Sequence, residues 1–256
     1  MPAPSEHRQA GSPGTEKSLR LTTLPEGHPC GRCAVRAATI CGTLKAKELG
    51  HFKSLSSSGY AEPSQCLFHE GDPAQLVYSI TSGSLKLYRL LPDGRRQIAA
   101  FPQAGDFLGL TLEKVHAYTA EALEPVEYCR FPRQRFDAFV DEHPEMGREL
   151  YLMAAHELAA AREQMVLLGR KTARERLASF LLTLFDRARC RNADWEIVRL
   201  PMTRTDIADH LGLTKETVSR TFTSLRRTEM IALLPGERVE LLQRRRLEQL
   251  ACGELG

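Results

Sequence analysis

Three cysteines near the start of the chain have a spacing that suits metal or redox chemistry. Cys30 and Cys33 form a C-x2-C turn, and Cys41 follows after seven further residues. Thiolates are soft ligands that favour zinc or an iron–sulfur cluster. A zinc site would need a second C-x2-C pair or two histidines, whereas His28 is a single nearby candidate. The spacing indicates metal, cluster or thiol chemistry, and ordinary thiols are the alternative.

A second group of residues, near the other end of the chain, has the spacing of a DNA-reading helix. Residues 215–227 predict a helix whose polar face carries Glu216, Ser219, Arg220 and Thr223. Arg220 can donate two parallel hydrogen bonds to guanine, Glu216 can accept from the cytosine amino group, and Ser219 is short enough to approach either base type. Phosphate repels a carboxylate, so Glu216 is useful at DNA mainly if it specifies a base.

The surrounding residues complete a helix-turn-helix pattern. Thr203 and Asp206 have the spacing of a capping box, and Gly212 supplies the turn before the second helix. The side chains predicted to hold the DNA backbone, which position the motif without specifying sequence, are Thr203, Thr214, Lys215, Arg226 and Arg227. Apolar runs on either side of Pro235-Gly236 predict a hairpin wing. A purely structural helical hairpin is the alternative.

Two larger elements must position these groups. Between residues 60 and 135, turn glycines recur at intervals of 12, 11 and 11 residues at Gly71, Gly83, Gly94 and Gly105. Short apolar runs divided by such regular turns predict an antiparallel sandwich or barrel. Residues 144–169 then switch to helical periodicity, and residues 171–189 predict another amphipathic helix.

The long helix carries an apolar stripe on a 3.5-residue period, which is typical of a coiled-coil seam. The residues of this seam are Tyr151, Ala154, Leu158, Ala161, Met165 and Leu168. A second stripe could pack on the helix's own domain, through Leu152, Ala155, Ala159 and Val166. We therefore expect self-association through one face of this helix.

Composition narrows the function classes. The chain has 256 residues, of which 42% are hydrophobic and 26% charged, as in ordinary globular proteins. No apolar run reaches the ~18 residues that a membrane span needs, and no secretory signal is visible, so a cytoplasmic location is expected. From Arg170 onward 17 Lys+Arg face 12 Asp+Glu, a balance of +5 that suits a polyanion partner. No P-loop, Ser-His-Asp set or paired catalytic carboxylates indicate an enzyme.

The order of sandwich, long helix and winged helix-turn-helix resembles the CRP/FNR family of bacterial transcription regulators. The stretch 202–227, MTRTDIADHLGLTKETVSRTFTSLRR, carries the resemblance, which extends over about residues 28–245. Glu216-x-x-Ser219-Arg220 is similar to the FNR-like branch. The resemblance implies an α+β chain with a jelly-roll sensor domain of the cyclic-nucleotide-binding type. It also implies a homodimer on a TTGAT-N4-ATCAA palindrome in double-stranded DNA, and contact with RNA polymerase, with the hairpin 92–96 as a candidate surface.

The same resemblance bears on what the regulator senses. Cys129, in Ala-Leu-Glu-x4-Cys, is similar to the family's fourth cluster cysteine, and the C-x2-C-x7-C spacing resembles FnrN- and FixK-like members. Together Cys30, Cys33, Cys41 and Cys129 imply a [4Fe–4S] cluster and oxygen sensing. A cyclic nucleotide is not expected, because Tyr118 stands where that pocket needs an arginine. Zinc or thiol redox chemistry is the alternative, and an electron-transfer enzyme would leave the recognition helix without a role.

The predicted organisation has five parts: a disordered tail (1–22), a cysteine-rich segment (23–48), a β-roll sensor domain (49–143), a dimerisation helix (144–170) and a winged helix-turn-helix domain (171–256). Two further cysteines carry weaker hypotheses. Cys66 is a backup ligand, or else part of the core. Cys190, flanked by three arginines, is a candidate secondary oxidation site because cations lower a thiol pKa.

Overall fold

The structure, a computed structural model, describes residues 27–189 and 196–254. The predicted tail and Cys190 lie outside these ranges. Within them, no helix is both long and apolar enough to cross a membrane.

Two four-stranded antiparallel sheets form the N-terminal domain, as the turn spacing predicted. The sheets have the orders β1-β8-β3-β6 and β2-β7-β4-β5. Their strands are β1 Ser57–Ala61, β2 Cys66–Phe68, β3 Leu76–Ser82, β4 Leu85–Leu90, β5 Arg96–Ala100, β6 Phe107–Leu108, β7 Thr119–Ala122 and β8 Val126–Pro132. Small and β-branched side chains, such as Ala120, Ile80 and Val126, fill the space between them. At the β3–β4 turn Gly83 has φ +81°, and an added Cβ would lie 2.3 Å from the Pro125 carbonyl oxygen, so only glycine fits.

The cysteine-rich segment covers one end of this sandwich. It consists of three short 3₁₀ turns, at Pro29–Gly31, Arg36–Ala38 and Ile40–Thr43, followed by helix α1 at Ala46–Ser54. Phe52, buried in this helix, anchors its second half. The Phe52 ring stacks on Phe131 of β8 at 4.4 Å between centroids. The segment is therefore fixed to the strand that carries Cys129.

Three helices connect the sandwich to the C-terminal domain. They are α2 Arg133–Glu142, α3 Pro144–Arg170 and α4 Ala173–Arg189. Helix α2, which was not predicted, packs Phe136 and Phe139 against the sandwich. Helix α3 touches its own chain through Met146, Leu150 and Met153 near its start and Leu167 near its end. All ten residues from 154 to 163 are exposed.

The C-terminal domain is a winged helix-turn-helix. Its elements are β9 Ile197–Arg199, α5 Arg204–Leu211, α6 Lys215–Arg227, β10 Ile231–Leu234, β11 Arg238–Leu241 and α7 Arg244–Ala251. The wing is a three-stranded antiparallel sheet in the order β10-β11-β9, one strand more than the predicted hairpin. Gly212 (φ +62°) makes the left-handed turn between α5 and α6.

A single hydrophobic cluster joins the two domains. Ile98 of β5 and Phe101 just after it belong to the same buried cluster as Leu181 of α4 and Ile207 of α5. The Phe101 and Phe180 rings meet edge to face at 5.9 Å between centroids. The sensor sheet is therefore packed directly on the helix-turn-helix domain.

Candidate functional site

Helix α6 presents the predicted base-reading side chains to solvent. Thr214 begins the helix, and its Oγ1 accepts a hydrogen bond from the Thr217 amide at 3.2 Å. The buried face consists of Val218, Thr221, Phe222 and Leu225, three of which the periodicity predicted. The opposite face, with Glu216, Ser219, Arg220 and Thr223, is exposed. Side chains suited to reading base edges thus stand together on one accessible face, and their contacts with DNA stay a prediction.

Helix α5 supports α6 and begins with the predicted capping box. The Thr203 hydroxyl accepts from the Asp206 amide at 3.1 Å, and Asp206 Oδ2 accepts from the Thr203 amide at 3.0 Å. Burial alone would raise the pKa of Asp206, but the bonds from Thr203 and the charges of Lys86 and Arg96 hold it below its ordinary value. Asp206 is therefore an anion at neutral pH.

The residues predicted to hold the DNA backbone surround the recognition face. All five are exposed: Thr203, Thr214, Lys215, Arg226 and Arg227. Arg204, which the sequence analysis missed, lies with its guanidinium carbon 3.3 Å from the centre of the Phe222 ring. This cation–π contact packs the start of α5 against the buried face of α6.

The four predicted ligand cysteines come together at one end of the sandwich. Cys30 and Cys41 lie in the first and third 3₁₀ turns, Cys33 follows the first turn, and Cys129 lies in β8 between β1 and β3. Cys30, Cys41 and Cys129 pack against the same hydrophobic cluster. Burial raises the pKa of Cys30, while the charges of Cys129 and Cys33 raise it further. Cys129 thus interacts electrostatically with Cys30 and Cys41, which lie 99 and 88 positions before it in the sequence.

Burial dominates the protonation of two of these thiols, Cys41 and Cys30. It raises the pKa of the Cys41 thiol to about 12, although a hydrogen bond from Thr39 opposes it. A thiol in such surroundings stays protonated at neutral pH unless a cation or a metal compensates its charge. For Cys30 and Cys41, burial therefore opposes ionisation, and a neighbouring positive charge favours it.

Lys53 supplies a cation that the sequence analysis did not find. Its Nζ donates to Cys129 Sγ at 3.2 Å and to Ser58 Oγ at 3.1 Å. Its charge also lowers the pKa of Cys30, more than that of Arg36 does. No local sequence pattern could indicate this contact, because Lys53 and Cys129 are 76 residues apart.

Replacing Lys53 by methionine should raise the pH at which Cys30 is alkylated. The ammonium group favours the Cys30 thiolate, so its loss raises the pKa of that thiol and slows alkylation at any pH below it. Peptide mapping of reduced, metal-free protein treated with iodoacetamide measures the profile. Lys47→Met, on the exposed face of the same helix, is the control and should leave the profile in place. Identical profiles for both variants would contradict the assigned role.

The remaining sulfur and imidazole candidates have other surroundings. His28 caps the first 3₁₀ turn, because its Nδ1 accepts from the Cys30 amide at 3.1 Å. Cys66 lies in β2 and pairs with Glu121 of β7, and its charged neighbours are Glu121 and Lys86. Both strands belong to the sheet that does not contain Cys129, so the structure does not place Cys66 with the other three cysteines as a backup ligand.

The four thiols of Cys30, Cys33, Cys41 and Cys129 match the ligands of an iron–sulfur cluster, although they are not already arranged around one ion. In the two described ranges, no three His, Cys, Asp or Glu side chains could hold a metal ion as they stand. Four thiols on a loop and one strand are nevertheless the usual donors of a [4Fe–4S] cluster. Lys53 and Arg36 offer the compensating charge that such an anionic cluster needs.

The predicted seam of α3 faces solvent. Tyr151 is 72% exposed, Leu158 54% and Met165 66%, and Ala154 and Ala161 are also exposed. Leu168 differs, because it packs partly against the C-terminal core. Among the described residues the second stripe is not buried either: Leu152 is 41% exposed and Val166 50%. The helix thus offers a wide apolar surface.

Comparison with known proteins bears on both halves of the chain. Residues 60–143 match the family described as cyclic nucleotide-binding domain, and residues 175–250 match the Crp-like helix-turn-helix domain. The nitrogen fixation regulation protein FixK of Bradyrhizobium diazoefficiens is 43% identical over 228 residues, covering 89% of this chain and 96% of FixK. The transcriptional activatory protein AadR of Rhodopseudomonas palustris is 42% identical, covering 90% of this chain and 97% of AadR. The structure of FixK2 from Bradyrhizobium japonicum superposes with a TM-score of 0.71 at 36% identity, covering 76% of this chain and 96% of FixK2.

Proposed function

The chain belongs to the CRP/FNR family of DNA-binding transcription regulators, and from that premise we propose that it is an oxygen-responsive regulator of the cytoplasm. It binds a TTGAT-N4-ATCAA palindrome as a homodimer and senses oxygen through a [4Fe–4S] cluster. The observation that carries the sensing part is the convergence of Cys30, Cys33, Cys41 and Cys129 beside Lys53.

The exposed face of α6 supports the operator. Arg220 suits the guanine of each TTGAT half-site, because a guanidinium can donate to O6 and N7 together. Glu216 suits the cytosine of the opposite strand as an acceptor, and Ser219 lies between them on the same face. The exposed Lys215, Arg226 and Arg227 can hold the flanking phosphates. One motif therefore reads one half-site, and a palindrome requires two.

The bare middle of α3 supports the dimer. All ten residues 154–163 are exposed in the described part of the chain, whereas most helical stability in proteins comes from packing an apolar face. Burying Leu158 and Met165 against a second copy would remove large apolar surfaces from water, while Ala154 and Ala161 would allow close approach. The stripe contains no acidic residue at its centre, so we expect some dimer even without the cluster.

The cysteine segment supports the sensor. Cys30, Cys33, Cys41 and Cys129 would hold the cluster, which supplies oxygen-sensitive redox chemistry when bound. Lys53 offsets negative charge at Cys129, and the hydrophobic cluster with Phe52 limits access of water. Because α3 and the third 3₁₀ turn pack together around Met146 and Ile40, a change in the cysteine segment bears directly on the start of the dimer helix.

No cyclic nucleotide is part of this proposal. Tyr118, in the position where the pocket needs a cation for the phosphate, is exposed, and apolar side chains fill the sandwich interior. The contact with RNA polymerase is assigned to the exposed hairpin tip, residues 92–95. Arg96, which the sequence analysis included, points instead to α5. Transcription from an operator-bearing template with purified polymerase, comparing Asp93→Arg with wild type, tests this surface.

Iron and sulfide analysis of anaerobically purified protein tests the sensor. Wild type is expected to contain about four irons per chain and a broad visible absorption that bleaches in air. Cys33→Ala should lose both iron and colour and keep its circular dichroism spectrum, because Cys33 is a partly exposed loop residue. Cys66→Ala, in the other sheet, is the matched control and should retain the cluster.

The other outcomes decide between the alternatives. A colourless wild type that contains zinc would replace the cluster by a zinc site, and one without metal would assign sensing to thiols. Either result would leave operator binding in place. Equal iron content in Cys33→Ala and wild type would remove Cys33 from the ligand set.

A further inference from the structure

A buried ion network links the sensor sheet to the helix-turn-helix motif. Lys86 of β4 is only 7% exposed, and its Nζ lies 2.9 Å from Glu121 Oε1 of β7 and 3.4 Å from Asp206 Oδ1 of α5. The Asp206 side chain is 4% exposed. Charges this deep are stable only when paired, so the contact strongly favours the arrangement in which both domains touch.

Arg96 extends the network along α5. Its Nη2 lies 2.7 Å from Asp206 Oδ1 and 2.8 Å from Asp209 Oδ2, and its guanidinium lies 5.4 Å from the Tyr88 ring centre. Arg96 begins β5, on the edge of the sensor sheet. Two cations of the sensor domain therefore meet two carboxylates on successive positions of one face of α5.

Polar and apolar contacts of His210 surround the ion network. The backbone carbonyl of His210 accepts hydrogen bonds from Gln97 of β5 at 3.4 Å and from Gln164 of α3 at 3.0 Å. The Nδ1 atom of the His210 side chain is hydrogen-bonded to the Ile98 carbonyl at 3.0 Å. The imidazole also lies edge-on to Phe101 at 5.1 Å. Helix α5 is therefore held by the sensor sheet and the predicted dimer helix at the same time.

The docked face of α5 is separate from the reading face of α6. Asp206, Asp209 and His210 face the sensor domain, whereas Ser219 and Arg220 stay exposed. Docking therefore leaves the reading surface free. A dimer must place its two recognition helices about one DNA turn, ~34 Å, apart, which requires a fixed angle between each motif and α3.

We propose that Lys86 and Arg96 are positioning residues for DNA recognition, which hold the helix-turn-helix motif at its reading angle through Asp206 and Asp209. They do so without touching DNA. The proposal rests on the dimeric DNA-binding function of the family and is independent of what the cysteines bind. Arg96 is the better residue to test, because it is partly exposed and Lys86 is not.

The experiment compares Arg96→Gln, Arg96→Lys and the matched control Arg95→Gln. Arg95 is the neighbouring arginine, but it is exposed and pairs with Asp93 in its own turn. Hydrogen exchange of the α5 amides in the free protein reports docking, and fluorescence anisotropy reports affinity for a duplex with the TTGAT-N4-ATCAA palindrome and for a scrambled duplex. Thermal unfolding checks that each variant is folded.

Arg96→Gln should speed exchange in α5 and weaken binding to the palindrome by roughly 5- to 100-fold, a usual range for coupling between distant sites. Arg96→Lys should recover part of both effects, and Arg95→Gln should match wild type. Adding Asp209→Asn to Arg96→Gln should cost less than the two single losses together, because both remove one contact.

Two results would overturn the proposal. Exchange in α5 that is unchanged in Arg96→Gln would show that the network does not hold the motif. Faster exchange with unchanged affinity would show that docking does not set the reading angle. A wild type that binds both duplexes equally would contradict the operator sequence instead, and the exchange comparison would still decide whether Arg96 docks the motif.

Discussion

Replacing Leu158 by glutamate is expected to make the protein monomeric and to weaken operator binding by about a hundred-fold or more, since binding of the second half-site becomes a separate event. Leu158 is 54% exposed in the middle of the bare segment 154–163. In a dimer its two copies would be buried opposite each other, where paired glutamates would repel in a poorly hydrated seam. Sedimentation at micromolar concentration and anisotropy with the palindrome measure the two effects.

His156→Glu is the control for that experiment. It introduces the same charge two residues away, on the opposite side of α3, where the side chain is also exposed. This variant should remain dimeric and bind like wild type. If Leu158→Glu sediments as wild type does, α3 is not the dimer contact, and the exposed apolar stripe needs another explanation.

The second large effect is expected at the recognition helix. Arg220→Ala should lower the preference for operators that keep the guanine of TTGAT by ~1–3 kcal/mol for each half-site. Arg220→Lys should keep most of the affinity and lose most of the preference, because an ammonium cannot donate the same two parallel bonds. Competition between the palindrome and a duplex with both guanines replaced measures this preference.

Lys215→Ala provides the comparison for Arg220. Lys215 is exposed in the first turn of the same helix but belongs to the predicted backbone contacts. Loss of the Lys215 side chain should weaken binding to both duplexes alike and reduce the salt dependence of binding. If Arg220→Ala lowered the affinity for both duplexes equally, Arg220 would hold phosphate, and the assignment of base reading would be wrong.

The sequence predicted the C-terminal motif well because its signals are local. A capping box, a left-handed glycine and helical periodicity each involve residues within four positions, and the Thr203–Asp206 box and the Gly212 turn stand where these signals placed them. The sandwich was also predictable, from turns at regular intervals. The short helix α2 was missed, although Phe136, Phe139 and Val140 have the spacing of one helical face.

The contacts that connect the parts could not be read from the chain. Arg96 and Asp206 are 110 residues apart, and Lys53 and Cys129 are 76 apart. A charged residue on an exposed-looking strand or helix has the same local pattern whether it faces water or another domain. This is why Arg96 was placed with the hairpin 92–96 as a polymerase surface, and why Lys53 was not singled out. The periodicity of the second α3 stripe shows an apolar face but not what covers it, so its packing on the helix's own domain stayed an alternative, and its Leu152 and Val166 are exposed.

The cluster that Ile98 and Phe101 share with α4 and α5 has a consequence for folding. Because the sensor sheet and the winged domain complete the same core, neither can unfold without exposing apolar surface of the other. The two domains therefore form one cooperative unit in heat or denaturant, although they look like separate modules. Any occupant that stabilises the cysteine segment also raises the melting temperature of the DNA-binding half, because a ligand of the folded state stabilises the whole unit.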